Sequence, residues 1–227
     1  MAIILPVITG AVCMLSIFLM VRDMDNQQNL MLSESGQSQA QAVGIPKSVW
    51  IYSFICVVLT VMIAVFFPKI YPDNSPWVNV KRMVLLAVIW PLAYIDFTTL
   101  RIPNLFIIFG LACRAVILVF EVLLGNPSVW NTVLSELVAS GALLLASVLC
   151  ALCVKNGIGF GDMKLFIVMG LLLGLEGIWG AVFLALIVSF FIAVAVLITK
   201  KKTRKDAIPF GPALVIGTYL SVCLSGM

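Results

Sequence analysis

Histidine is absent from this 227-residue chain and charge is scarce, with Asp, Glu, Lys and Arg making up only 11% of it. Without an imidazole there is no Ser-His or Cys-His nucleophilic pair, and the usual histidine ligands of zinc hydrolases are missing. So little charge also excludes an ordinary soluble domain, in which about a quarter of residues are charged. The six cysteines all fall in apolar runs. Cys150 and Cys153 have CxxC spacing, but no second pair lies near them. They read as small apolar residues and not as a zinc or redox site. Neither a metal nor a cofactor is expected, and no nucleic acid partner.

What the chain has instead is hydrocarbon: 63% of its residues are apolar. A helix crossing a bilayer needs about 20 such residues, so the chain reads as an all-α polytopic membrane protein of about eight transmembrane helices. The expected spans are Ala2 to Val21, Ser48 to Phe67, Val80 to Ile95, Asn104 to Leu124, Thr132 to Val154, Gly161 to Leu175, Gly177 to Thr199 and Pro209 to Ser225. The first is expected to be a retained helix, because no basic residue precedes it and no small-residue cleavage pattern follows. Residues 1–79 then form two helices joined by a polar, Gln/Ser-rich loop from Arg22 to Lys47, and residues 80–227 a six-helix core. Pro91 removes a backbone donor from the third span and is expected to kink it just before Asp96, admitting water to that acid.

Basic residues set the orientation. Placing the run Lys200, Lys201, Lys202, Arg204 and Lys205 in the cytoplasm puts the segments Arg22 to Lys47, Asp96 to Pro103 and Lys155 to Gly161 on the same side. Ten of the 14 basic residues then fall at that face, Lys69, Lys81 and Arg82 fall opposite, and Arg114 lies within a span. The basic run itself reads as a topology signal in contact with anionic lipid.

Chemistry is left to the ten acids. Asp23, Asp25, Glu34, Asp73 and Asp206 sit in polar segments, Glu176 in an outer loop, and Glu121 and Glu136 near outer helix ends where they are expected to reach water. Asp96, in YIDFTTLRIPN, and Asp162, in NGIGFGDMKL, remain. An acid at the centre of a membrane helix costs about 2.5 to 3.5 kcal/mol, less near the interface, so such residues are rarely kept without a role. Two spans separate them, which puts both on one side. If the carboxyls approach, they do not both ionise comfortably, and the pair is expected to share one proton near neutral or mildly acidic pH. Such a pair can work as general base and general acid on a peptide bond, titrating as a unit.

Gly157, Gly159 and Gly161 allow a sharp turn and close approach of backbone, and Asp162 then opens a helix whose exposed amides favour a negative charge. The competing reading is a glycine loop with an Asp cap. Lys164 either tunes the acid or snorkels to phosphates. Arg101 reads as a topology residue, and Pro103 with Asn104 as the turn that starts the next helix.

GIGFGDMKL at a helix start, together with the earlier IDFTTLRIPN and a final IPFGPAL from Ile208 to Leu214, resembles the type IV prepilin leader peptidases, membrane aspartyl proteases of the GxGD class. The likeness runs from about Val80 to Leu224. It implies Asp96 and Asp162 as the catalytic pair, supported by Gly159, Gly161, Lys164, Pro209 and Gly211. It also implies prepilins or pseudopilins as substrates, each with a short basic leader cut on the cytoplasmic side just before an apolar helix, and a place in the bacterial inner membrane. Larger members of the family carry a cysteine-paired cytoplasmic insertion and an N-methyltransferase activity. The Arg22 to Lys47 segment has no cysteine, so methyl transfer is not expected. The compact form is similar to the peptidases of tight-adherence, Flp-type pilus systems. Two rival readings are a GxGD intramembrane protease of the presenilin or signal-peptide-peptidase kind, and a transporter component using paired acids as a proton relay.

Overall fold

The computed structural model describes residues 4–34, 47–153, 159–198 and 209–224. These form seven helices and no strand: α1 (Ile4–Glu34), α2 (Lys47–Ile70), α3 (Pro76–Thr99), α4 (Asn104–Leu123), α5 (Val129–Cys153), α6 (Phe160–Ile198) and α7 (Gly211–Leu224). Six of them are long and apolar enough to cross a membrane. The protein is an all-helical, multi-pass membrane protein.

Local chemistry sets most of the boundaries. Pro76 opens α3, where its missing N–H is no loss, and Leu100 closes it in the left-handed conformation with its N–H on the Asp96 carbonyl. Pro103 immediately precedes α4. Helix α6 is broken at Gly174, which has φ 66° and ψ −176°, a combination open to glycine. Just past the break, the Leu175 N–H is taken up by Ser135 Oγ of α5 at 3.0 Å. The break at Gly174 falls close to the boundary expected between the spans Gly161 to Leu175 and Gly177 to Thr199, within what is one long apolar helix in the described residues.

The N-terminal region departs from expectation. Helix α1 does not stop at Val21 but continues to Glu34, so the first half of the expected loop is helical. Arg22 to Glu34 contains no glycine or proline and holds two each of Met, Leu and Gln, residues that favour a helix once one has been nucleated. The rest of that loop, Gly157 and the basic run Lys200 to Lys205 lie outside the described residues.

Helix α3 is the central post. Every residue from Lys81 to Ile89 is buried, and α1, α2, α4, α6 and α7 all pack on it. Lipid offers apolar side chains as good a home as a neighbouring helix does, so helices here associate through close packing and polar contacts. Small residues supply the closeness. A Cβ on Gly170 would come within 2.7 Å of the Ser140 backbone of α5, and one on Gly217 would run into the Ala185 backbone of α6.

Polar contacts supply the rest, and they correct the reading of two acids. Glu121 and Glu136 do not reach water; both are buried, with Lys81 and Arg114, in one cluster joining α3, α4 and α5. Lys81 Nζ lies 2.7 Å from Glu136 Oε1 and 3.6 Å from Glu121 Oε1. Arg114 reaches Glu136 Oε2 at 2.6 Å and Glu121 Oε2 at 3.0 Å. Two cations balance two anions, so Lys81, counted above with the basic residues opposite the cytoplasmic face, and Arg114 are partners inside the bundle.

Glu136 is the hub, touching both cations. Glu136→Gln leaves two buried cations to share Glu121, and is expected to cost about 3 to 5 kcal/mol of stability, the usual penalty for orphaning a buried charge. Thermal denaturation in detergent micelles measures it. Removing Lys81 and Glu136 together as methionines leaves the Arg114–Glu121 pair balanced and is expected to cost less than Glu136→Gln alone. An equal or larger loss in the double variant would contradict the role given to charge balance.

Candidate active site

The two acids singled out by sequence come from different helices and meet at one end of the bundle, where α3 ends and α4, α6 and α7 begin. Asp96 sits in the last turn of α3 and is 6% exposed. Asp162 is in the first turn of α6 and is partly buried. The two acids lie within electrostatic range of each other.

Each carboxylate accepts a backbone amide from a helix start, where N–H groups have no partner within their own helix. Gly211, the first residue of α7, donates its N–H to Asp96 Oδ2 at 2.7 Å. Gly159 caps α6, its carbonyl accepting the Met163 N–H at 3.3 Å, and its own N–H donates to the Asp162 side chain. This is the returning half of a capping box, a side chain in the first turn satisfying the cap residue's amide. The capping role weighed for Asp162 is therefore present. It is compatible with chemistry, since it holds the carboxylate at a fixed angle beside Asp96.

The glycines are needed for closeness. A Cβ on Gly211 would stand 2.7 Å from Asp96 Oδ2 and 2.9 Å from Asp96 Cβ, and one on Gly159 would stand 3.3 Å from Asp162 Oδ2. One on Gly161 would press on Ile102 Cβ at 2.9 Å, so the start of α6 lies directly against the segment linking α3 to α4. Lys164 is exposed and donates from Nζ to Asn104 Oδ1 at 2.9 Å, tying α6 to the first residue of α4. Pro209 is partly buried just ahead of α7. Phe210, next to it, accepts the Leu214 N–H at 3.0 Å and sets its ring edge-on to Phe166 of α6, with centroids 6.0 Å apart. Sequence reasoning took Asn104 only as a turn residue; its amide side chain gave no signal of a partner 60 positions away.

Gly159, Gly161, Gly211 and the two acids thus converge on a single site, built from the ends of helices that are far apart in sequence. The sequence model of the type IV leader peptidase family matches residues 83–198, slightly more than half of the chain and inclusive of both acids. The chain belongs to this family. It is 29% identical over 139 residues to a prepilin leader peptidase/N-methyltransferase of Bacillus subtilis, an alignment covering 61% of this chain and 53% of that one. It is 27% identical over 152 residues to a protein of the same description from Aeromonas hydrophila, with 64% and 50% covered. The chain spans about half the length of the curated relatives it matches. No solved structure matches it.

Proposed function

We propose that this family member is an aspartyl endopeptidase that removes the short basic leader of type IV prepilins or pseudopilins at the cytoplasmic face of the bacterial inner membrane. The observation that carries the reading is the convergence of Asp96 and Asp162 at one end of the bundle, each fixed by a helix-start amide. Two like charges in one desolvated site do not both ionise, so the pair holds one proton. The ionised partner takes a proton from a water whose oxygen attacks the peptide carbonyl carbon. The protonated partner gives its proton to the carbonyl oxygen. When the tetrahedral species collapses, the C–N bond breaks and the amine leaves with a proton returned through the pair. Neither step asks for a metal.

The cytoplasmic location is supported by the distribution of basic residues, since Arg101 and Lys164 flank the site and Lys155 and the run from Lys200 precede its helices in sequence. Phe97 and Phe160 stand exposed beside the acids, offering an apolar rim to the first turn of a substrate helix. The cleavage reaction is proposed without methyl transfer, because the α1–α2 connection contains no cysteine from which a paired-CxxC module could be built.

Purified protein in proteoliposomes, given a reporter prepilin and S-adenosylmethionine, is expected to yield a product shortened by the leader and carrying an unmodified N-terminal amine. Mass spectrometry reads both features. No cleavage by well-folded protein would sink the peptidase reading; a methyl-sized mass gain on the product would overturn the second part alone.

A further inference from the structure

Helix α3 runs unbroken through Pro91, five positions before Asp96. Proline has no N–H, so the Ala87 carbonyl, four residues earlier, loses its helical partner inside an apolar bundle. It is not left bare. Ser16 of α1 donates to Ala87 O at 2.7 Å, sharing its proton with its own helix's Cys13 carbonyl at 2.9 Å. Both Ser16 and Ala87 are fully buried.

A second hydroxyl, from α2, acts on the same stretch. Tyr52 donates to Trp90 O at 2.7 Å, the carbonyl directly before the proline. The Tyr52 ring lies against Trp90 and Tyr94, with centroids 6.3 and 5.0 Å away. The ring of Tyr219 of α7 also meets Trp90, with centroids 6.0 Å apart, and Gly211 of α7 holds the Asp96 carboxylate. The stretch of α3 from Ala87 to Asp96 is therefore held from three helices: hydroxyls of α1 and α2 bind the carbonyls just before the proline, and α7 holds the acid that follows it. The family match begins at residue 83 and includes neither α1 nor α2.

We propose that Ser16 and Tyr52 are positioning residues for the active site: the N-terminal helices hold the proline-interrupted turn of α3 and so fix the direction in which it presents Asp96. This rests on Asp96 being one of the reacting acids. The mechanism is specific. A proline-freed carbonyl that finds no donor drives its turn to bend or rotate in search of one, and Asp96 is carried with it.

The test is a set of variants assayed by reporter cleavage in proteoliposomes. Tyr52→Phe removes one hydroxyl and keeps every ring contact, so it is the variant that folds most safely. Ser16→Ala removes the other. Each is expected to lower kcat with KM unchanged, and the double variant to lose about tenfold to a hundredfold, the scale set by misplacing a reacting group by a fraction of an ångström to an ångström. Pro91→Ala supplies the missing N–H at position 91, so in that background Ser16→Ala is expected to have no further effect. A fall in kcat from Ser16→Ala that is equally large with and without Pro91 would overturn the mechanism. So would wild-type kcat in both Tyr52→Phe and Ser16→Ala, or losses expressed as raised KM. Asp96→Asn run alongside separates the two levels: full activity there removes the catalytic reading itself, whereas an inactive Asp96→Asn with silent hydroxyl variants removes only the positioning role.

Discussion

Asp96→Asn and Asp162→Asn are each expected to abolish cleavage of a prepilin reporter while leaving the protein inserted and folded. A pair that uses one charge and one proton fails when either acid becomes an amide, because Asn can neither take a proton from water nor give one to the carbonyl. General acid or base catalysis alone is worth about 10²- to 10⁴-fold, and two groups acting as a unit lose nearly everything when one is removed. Folding should survive both changes. The side-chain oxygen of an asparagine in place of Asp96 can still accept the Gly211 N–H, and one in place of Asp162 can still accept that of Gly159, so the helix-start contacts persist. Expression and thermal stability equal to wild type, with cleavage at background, is the expected pair of results. Substantial cleavage by either single variant would remove the dyad. Loss of folding in both would show these acids to be structural caps first.

The acids were legible because of what surrounds them. A carboxylate at the edge of an apolar run stands out when the rest of the chain is hydrocarbon, and the glycines at 159 and 161 announce a close backbone approach. The break in α6 was legible in the same way, because Gly and Glu interrupt a leucine run next to Gly174. What could not be read was the partnership of charges across helices. Glu121 and Glu136 lie within two turns of helix ends, and hydropathy cannot separate an acid that snorkels to water from one that turns inward. A signal was nevertheless available: Arg114 and Glu121 are seven positions apart, hence on one face of α4, and an arginine in mid-span demands a partner. The continuation of α1 past Val21 was hidden by polarity, because composition distinguishes membrane from water and not helix from loop. Nor could the α1 and α2 hydroxyls on α3 be foreseen, as serine and tyrosine in apolar spans carry no mark of which carbonyl they will meet.

Gly211→Ala is expected to reduce cleavage about a hundredfold, the cost associated with displacing a reacting group by roughly an ångström. A methyl at 211 would stand 2.7 Å from Asp96 Oδ2 and 2.9 Å from its Cβ, and the Cβ, bonded to the backbone of α3, cannot swing away. Either the carboxylate rotates off its amide donor or the first turn of α7 retreats, and both lengthen the 2.7 Å bond that orients Asp96. Asp96 is buried, so the displaced carboxylate has little room to settle elsewhere. Backbone strain plays no part, since Gly211 is not among the residues with positive φ. The neighbouring glycines supply an internal scale. Gly159→Ala brings its methyl only to 3.3 Å from Asp162 Oδ2 and should be felt much less, whereas Gly217→Ala, far from the acids, forces α7 off the Ala185 backbone and should lower thermal stability more than the activity of the protein that remains folded. Cleavage rates normalised to folded protein for the three variants give the ordering: Gly211→Ala lowest, Gly159→Ala intermediate, Gly217→Ala nearest to wild type. Full activity in Gly211→Ala would mean that the α7 amide does not orient Asp96 for the reaction, and that the contacts on α3 hold the helix without aiming the acid.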